Sequence, residues 1–127
     1  MIATIVQKDT HHERAIATTI TIRPNFATTQ ACVTESTYLL RASGGWPAVD
    51  ALHRMIENGT VTVLDMPSSH SLRSLDFMER FRDIPCDFAD ASLLVAAEDT
   101  GVRRIFTFDK HFYAYRLTNG DHLDVMP

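Results

Sequence analysis

The run Asp87-Phe88-Ala89-Asp90-Ala91-Ser92-Leu93-Leu94-Val95-Ala96-Ala97 constrains the fold more than any other part of the chain. Pro85 precedes it and Gly101 follows, a helix breaker and a helix terminator, so the spacing predicts a helix over 88–100. Its apolar residues leave almost no polar face. A helix of that kind has to be covered on most sides, which makes it the centre of a layered domain. With 127 residues, 45% of them hydrophobic, the chain is long enough to build such a core without disulfides or a structural metal.

The flanking sequence alternates strands with long crossovers. His11–Ile20 reads as a helix, with Thr10 as cap and Glu13 three residues on in capping-box spacing. After the Pro24-Asn25 break, Phe26–Thr29 reads as a strand and Gln30–Ala42 as a helix, with Cys32, Ser36, Leu39 and Leu40 inward. Ser43-Gly44-Gly45 ends that helix. Trp46–Glu57 is the next, with Pro47 in its first turn and Ala48, Leu52, Met55 and Ile56 at helical intervals. Asn58-Gly59 turns into the β-branched strand Thr60–Leu64. Ser68 or Ser69 opens a helix to about Arg82, marked by Leu72, Leu75, Met78 and Glu79. Arg104–Phe108 is a strand, a turn or short helix follows near His111, and Leu123–Met126 is a last strand. The expected class is α/β with a mainly parallel sheet, in one domain over 1–127. Working residues should then lie just after strands or at the starts of helices.

Composition excludes several classes. No apolar run approaches the ~20 residues that cross a bilayer, and Met1–Lys8 lacks a basic leader and a cleavage site. Cys32 and Cys86 form no CxxC pair, which reads as a reduced cytoplasmic protein with two incidental thiols. Sixteen acids against twelve Lys and Arg give a net charge of −4. That argues against a protein that coats nucleic acid electrostatically, and fits one that reaches phosphate through a cation.

Four carboxylates stand where a site belongs. Glu35 lies about two turns into the helix after the first strand; Asp87 and Asp90 share one side of the first turn of the central helix; Asp109 follows the strand ending at Phe108. Each has a plain structural reading: Asp87 as a helix cap, Glu35 as a solvated helix residue, Asp109 as a turn residue. Asp90, at the mouth of an apolar helix, needs a cation or donor as partner. Crowded carboxylates stay ionised when a cation neutralises them. Hard oxygen donors suit Mg²⁺ or Mn²⁺, and the reaction class they serve is metal-assisted phosphodiester hydrolysis.

Thr34-Glu35 after a Thr-Thr strand end, Cys86-Asp87-Phe88-Ala89-Asp90-Ala91-Ser92-Leu93-Leu94, and Thr107-Phe108-Asp109-Lys110-His111-Phe112 resemble the second, third and fourth acidic motifs of PIN domains. With the closing Tyr115-Arg116 they are similar to the VapC-like toxin subgroup over about Met1–Pro127. The resemblance implies an α/β/α sandwich with a mainly parallel sheet, and Mg²⁺- or Mn²⁺-dependent endoribonuclease activity. It also implies an RNA substrate, a cognate antitoxin and a homodimer. Carried over, Glu35, Asp90 and Asp109 would be the catalytic metal-site acids, Asp87 an additional metal ligand, and Thr107 the small polar residue beside the last Asp. Met1-Ile2-Ala3-Thr4-Ile5-Val6 resembles the helix after the family's first motif. The expectation is therefore an N-terminally truncated PIN domain lacking its first strand and first acid, by an internal start or by decay; Asp9 comes too late to serve.

Lys110, His111, Arg116, Arg103-Arg104 and Arg73 or Arg82 are candidates for RNA phosphate contacts. Adjacent His11 and His12 diverge on a helix and read as a solvated start. Trp46 and Phe112 read as core before they read as base-stacking groups. The apolar helices before Val61 offer a groove for an antitoxin helix or a second subunit. Three functions follow: a metal-dependent ribonuclease toxin, a catalytically impaired PIN-like module that binds an antitoxin without cutting, and a metal-dependent small-molecule phosphohydrolase.

Overall fold

Val61-Thr62-Val63 is β-branched at every position and pairs in parallel with Phe26–Thr28, Phe26 opposite Val61. We number these strands β1 (Phe26–Thr28) and β2 (Val61–Val63). The computed structural model describes residues 25–127 together with Glu13, Ile16 and Ala17, whose backbone is helical. The rest of the expected His11–Ile20 helix, the Met1–Val6 segment, Asp9, His11 and His12 lie outside the described residues. The chain divides into two compact units after Leu64.

In the first unit a parallel pair demands a crossover, and helix α1 (Gln30–Glu57) provides it. Thr29 has an extended backbone and caps α1, its hydroxyl accepting from the Cys32 N–H at 3.3 Å. Gly45 breaks α1 with φ 64° and ψ −159°, where a side chain would be strained, and Pro47 restarts it. The two expected helices are thus the two arms of one kinked element. Leu40, Ala48 and Leu52 form its core, with Val49 and Ile56 against them. Leu39, expected inward, is exposed, and so is Trp46 at 65%. The Arg41 guanidinium lies 5.3 Å from the Trp46 ring, so a cation rather than a core covers it.

The second unit is built round helix α3 (Phe88–Thr100), which runs between the predicted bounds. Ala91, Leu94 and Val95 are wholly buried, and Phe77, Phe112, Tyr115, Leu117 and Leu123 close over them. Gly101 ends the helix in the left-handed conformation at φ 72°. Helix α2 (Ser69–Arg80) packs on α3, but not by the leucines that mark it in the sequence: Leu72 and Leu75 are 68% and 51% exposed, while Ser74 and Phe77 are buried. Ion pairs explain the rotation. Arg73 reaches Glu98 at 2.6 Å and Asp99 at 2.7 Å, and His70 reaches Asp99 at 2.6 Å. These residues continue the stripe of Ser74 and Phe77 at helical spacing.

Strands β3 (Arg104–Phe106) and β4 (Asp124–Met126) form a second parallel pair. β3 ends two residues earlier than expected. Thr107 still donates its N–H to the Met126 carbonyl at 3.2 Å, but its hydroxyl then accepts the Asp109 N–H at 3.1 Å and turns the chain. A 3₁₀ turn, Lys110–Tyr113, follows. The strand pairs of the described residues are all parallel, as the α/β reading requires. Among these residues no helix is long and apolar enough to cross a membrane.

Candidate metal centre

Asp87 and Asp90 first serve the helix they open. Asp87 caps α3: its Oδ1 accepts from the Asp90 N–H at 2.9 Å, and the Asp87 N–H donates to Asp90 Oδ2 at 3.3 Å. This reciprocal box satisfies two backbone donors that a helix start leaves open. The exposed N–H groups and the helix dipole favour the two negative charges there. The plain reading of Asp87 as a cap is thus observed, and Asp90 shares it.

Asp109 caps the 3₁₀ turn, its Oδ1 accepting from the His111 N–H at 2.9 Å. The His111 imidazole adds Nδ1 at 2.7 Å from the same oxygen. The connection from β3 to α3's first turn is therefore made in space: Asp87, Asp90, Asp109 and His111 line one cavity of about 490 Å³. Met78, Pro85 and Cys86 complete its wall. Burial, and then the charges of Asp90, Asp87 and Asp109, push the Cys86 thiol up to about 11 against a hydrogen bond with Tyr115. Burial and the same kind of repulsion, from Asp90 foremost, raise the Tyr115 phenol too. Burial is the larger cause for both groups, and the neighbouring carboxylates add to it.

Glu35 belongs to the first unit and is exposed on α1. Lys110 is exposed beside Asp109. Arg116 turns one nitrogen back on the chain, donating to the carbonyls of Tyr113 at 2.9 Å and Tyr115 at 2.7 Å. Sequence reasoning weighed His111 only as a phosphate contact; the Asp-Lys-His order across a turn was the signal that the imidazole stands beside its carboxylate. Nothing in the sequence placed Met78 and Cys86 in the cavity wall.

Hard carboxylate oxygens, with Asp109 Oδ2 outside any hydrogen bond among the described residues, form a donor set suited to Mg²⁺ or Mn²⁺, which take one or two carboxylates and keep water. Among the described residues no three His, Cys, Asp or Glu side chains stand close enough to enclose an ion by themselves. A second cavity of about 480 Å³ is lined by Arg73, Glu98, Arg103, Thr118 and Asn119. Its charges are already matched: Arg73 to Glu98, Glu98 to the Thr118 N–H at 2.7 Å, and Arg103 to the Ala97 carbonyl at 2.7 Å. The acid-lined cavity instead gathers three carboxylates, Asp87, Asp90 and Asp109, on one wall.

No curated protein sequence matches the chain. Among solved structures, the chain is similar to the crystal structure of Mycobacterium tuberculosis VapC20, a sarcin-ricin loop cleaving toxin. The TM-score is 0.79 at 19% identity, covering 89% of this chain and 87% of that one. The likeness is one of fold, and it is α/β. The PIN domain family model matches residues 1–117, and the chain belongs to the PIN-domain family.

Proposed function

We propose that the protein is a Mg²⁺- or Mn²⁺-dependent endoribonuclease, the toxin of a toxin–antitoxin pair. Membership of the PIN family and the fold shared with a VapC toxin support this reading. The observation that carries it to particular residues is the convergence of Asp87, Asp90 and Asp109 on one cavity. Asp90 and Asp109 would hold the cation, with Asp87 beside them; Glu35 enters through its motif position. A divalent cation there would stabilise charge on a phosphodiester and make water a better nucleophile. Thr107 holds the Asp109 backbone, while Lys110 and Arg116 supply positive charge for RNA phosphates. A net charge of −4 is compatible with a protein that reaches phosphate partly through a cation. A cognate antitoxin, a homodimer and a cytoplasmic setting belong to the same proposal.

Cleavage of a structured RNA with Mn²⁺, abolished by Asp90→Asn, tests it. Equal cleavage by parent and variant would remove Asp90 from the mechanism. The second reading, a PIN-like module that binds an antitoxin without cutting, is favoured by the capping box, which already occupies Asp87 and Asp90. Antitoxin binding with no cleavage in Mg²⁺ or Mn²⁺ would establish it.

A further inference from the structure

We infer that His111 is a positioning residue for Asp109, holding one carboxylate oxygen so that the other faces the cation. The inference rests on the metal-centre reading above and names a residue that reading does not use. Two donors from His111 converge on Asp109 Oδ1, the backbone N–H at 2.9 Å and Nδ1 at 2.7 Å. Among the described residues Oδ2 receives no hydrogen bond. An Asp carboxylate rotates broadly about its last torsion. A single cap bond from the backbone leaves much of that rotation open; a second donor from a ring on the same oxygen closes it.

Stability does not account for the second donor. The two side chains are 44% and 37% exposed, and a pair so open to water adds little to folding. The backbone N–H of any residue would cap the turn, so the imidazole is surplus to the cap. Its place is the wall of the cavity that Asp87 and Asp90 also line. The arrangement also assigns the ring: an ionised carboxylate only accepts, so Nδ1 carries the hydrogen. Outer hydrogen bonds that fix ligand orientation commonly change metal affinity by about tenfold or more when removed.

Three variants of the full chain separate positioning from structure. Asn at 111 carries its amide N–H near the place of Nδ1, Gln carries it near Nε2, and Ala carries none. Mn²⁺ affinity by calorimetry should stay within about threefold of the parent in His111→Asn and fall about tenfold or more in His111→Gln and His111→Ala. The thermal midpoint should hold in all three, and a merely structural side chain would not discriminate Asn from Gln. In the metal-free protein the imidazole nitrogen spectrum should show the Nδ1–H tautomer. The inference falls if His111→Ala binds Mn²⁺ like the parent while Asp109→Asn weakens it, or if the tautomer is Nε2–H. If Asp109→Asn also leaves affinity unchanged, or the parent binds no Mn²⁺, the metal-centre reading falls and the inference with it.

Discussion

The Tyr115 phenol donates a hydrogen bond to the Pro85 carbonyl, two residues ahead of the helix cap Asp87. Tyr115 is wholly buried, flanked by Phe112 at 5.0 Å and Phe81 at 5.1 Å between ring centroids. The bond therefore ties the entry of α3 to the rigid aromatic core. Tyr115→Phe should keep the packing and lose about 1 kcal/mol of stability. Amide exchange should rise selectively at Cys86, Asp87 and Ala89 beyond the global change. Uniform exchange across α3 would show that the bond does not anchor the entry.

Cap and ligand roles of Asp87 come apart by substitution. Asparagine caps about as well as aspartate, whereas alanine costs about 1 kcal/mol. Asp87→Asn should therefore retain the urea midpoint and Asp87→Ala should lower it. If Asp87 also binds the cation, Mn²⁺ affinity should fall in both. Full affinity in Asp87→Asn would leave Asp87 a cap alone.

The α2–α3 ion pairs make stability depend on pH. Burial alone would raise the Glu98 carboxyl, but hydrogen bonds from Thr118 and Arg73 outweigh it and hold the group below its usual value. A depressed carboxyl stabilises the fold above its unfolded pKa, and that contribution is lost as pH falls through the folded value. Glu98→Gln should cost about 1–2 kcal/mol at pH 7. The gap to the parent should close as both are titrated into acid. A gap that is constant with pH would mean that the charge of Glu98 is not what matters.

Cys86, raised to about 11 from 9.0, holds about a hundredfold less thiolate than an ordinary cysteine near neutral pH. Iodoacetamide should accordingly modify it at least about tenfold more slowly at pH 8 than a model thiol, as read by peptide mass, the scarcer thiolate being the more nucleophilic. Asp90→Asn removes one repelling charge and should speed the reaction. Ordinary reactivity in the parent would contradict the buried, negative surroundings.

The elements that the sequence made legible are those whose local chemistry agrees with their packing. Asp87 and Gly101 mark helix ends by capping chemistry alone, and α3 runs between its expected limits, whereas Thr29, read as the end of a strand, caps α1. Helix α2 was legible as a helix but not in its orientation. Hydropathy turns Leu72 and Leu75 inward; the stripe that meets α3 begins with His70, Arg73 and Ser74, and the ion-pair partners of His70 and Arg73 lie 25 and more residues away in sequence. No local rule anticipates those pairs. Phe108 reads as strand by propensity, yet the Thr107 hydroxyl ends the pairing at Phe106. Asp87, Asp90 and Asp109 could be picked out by type and motif spacing, whereas the company of His111 and Cys86 required the fold.

The capping box has a consequence for the metal dependence proposed above. Repulsion between Asp87 and Asp90 is taken up by peptide hydrogens of α3, so the helix start stays formed when divalent ions are scarce. Were the chain the metal-dependent nuclease proposed above, chelation would silence it without unravelling it, leaving it ready to answer when the ion returns.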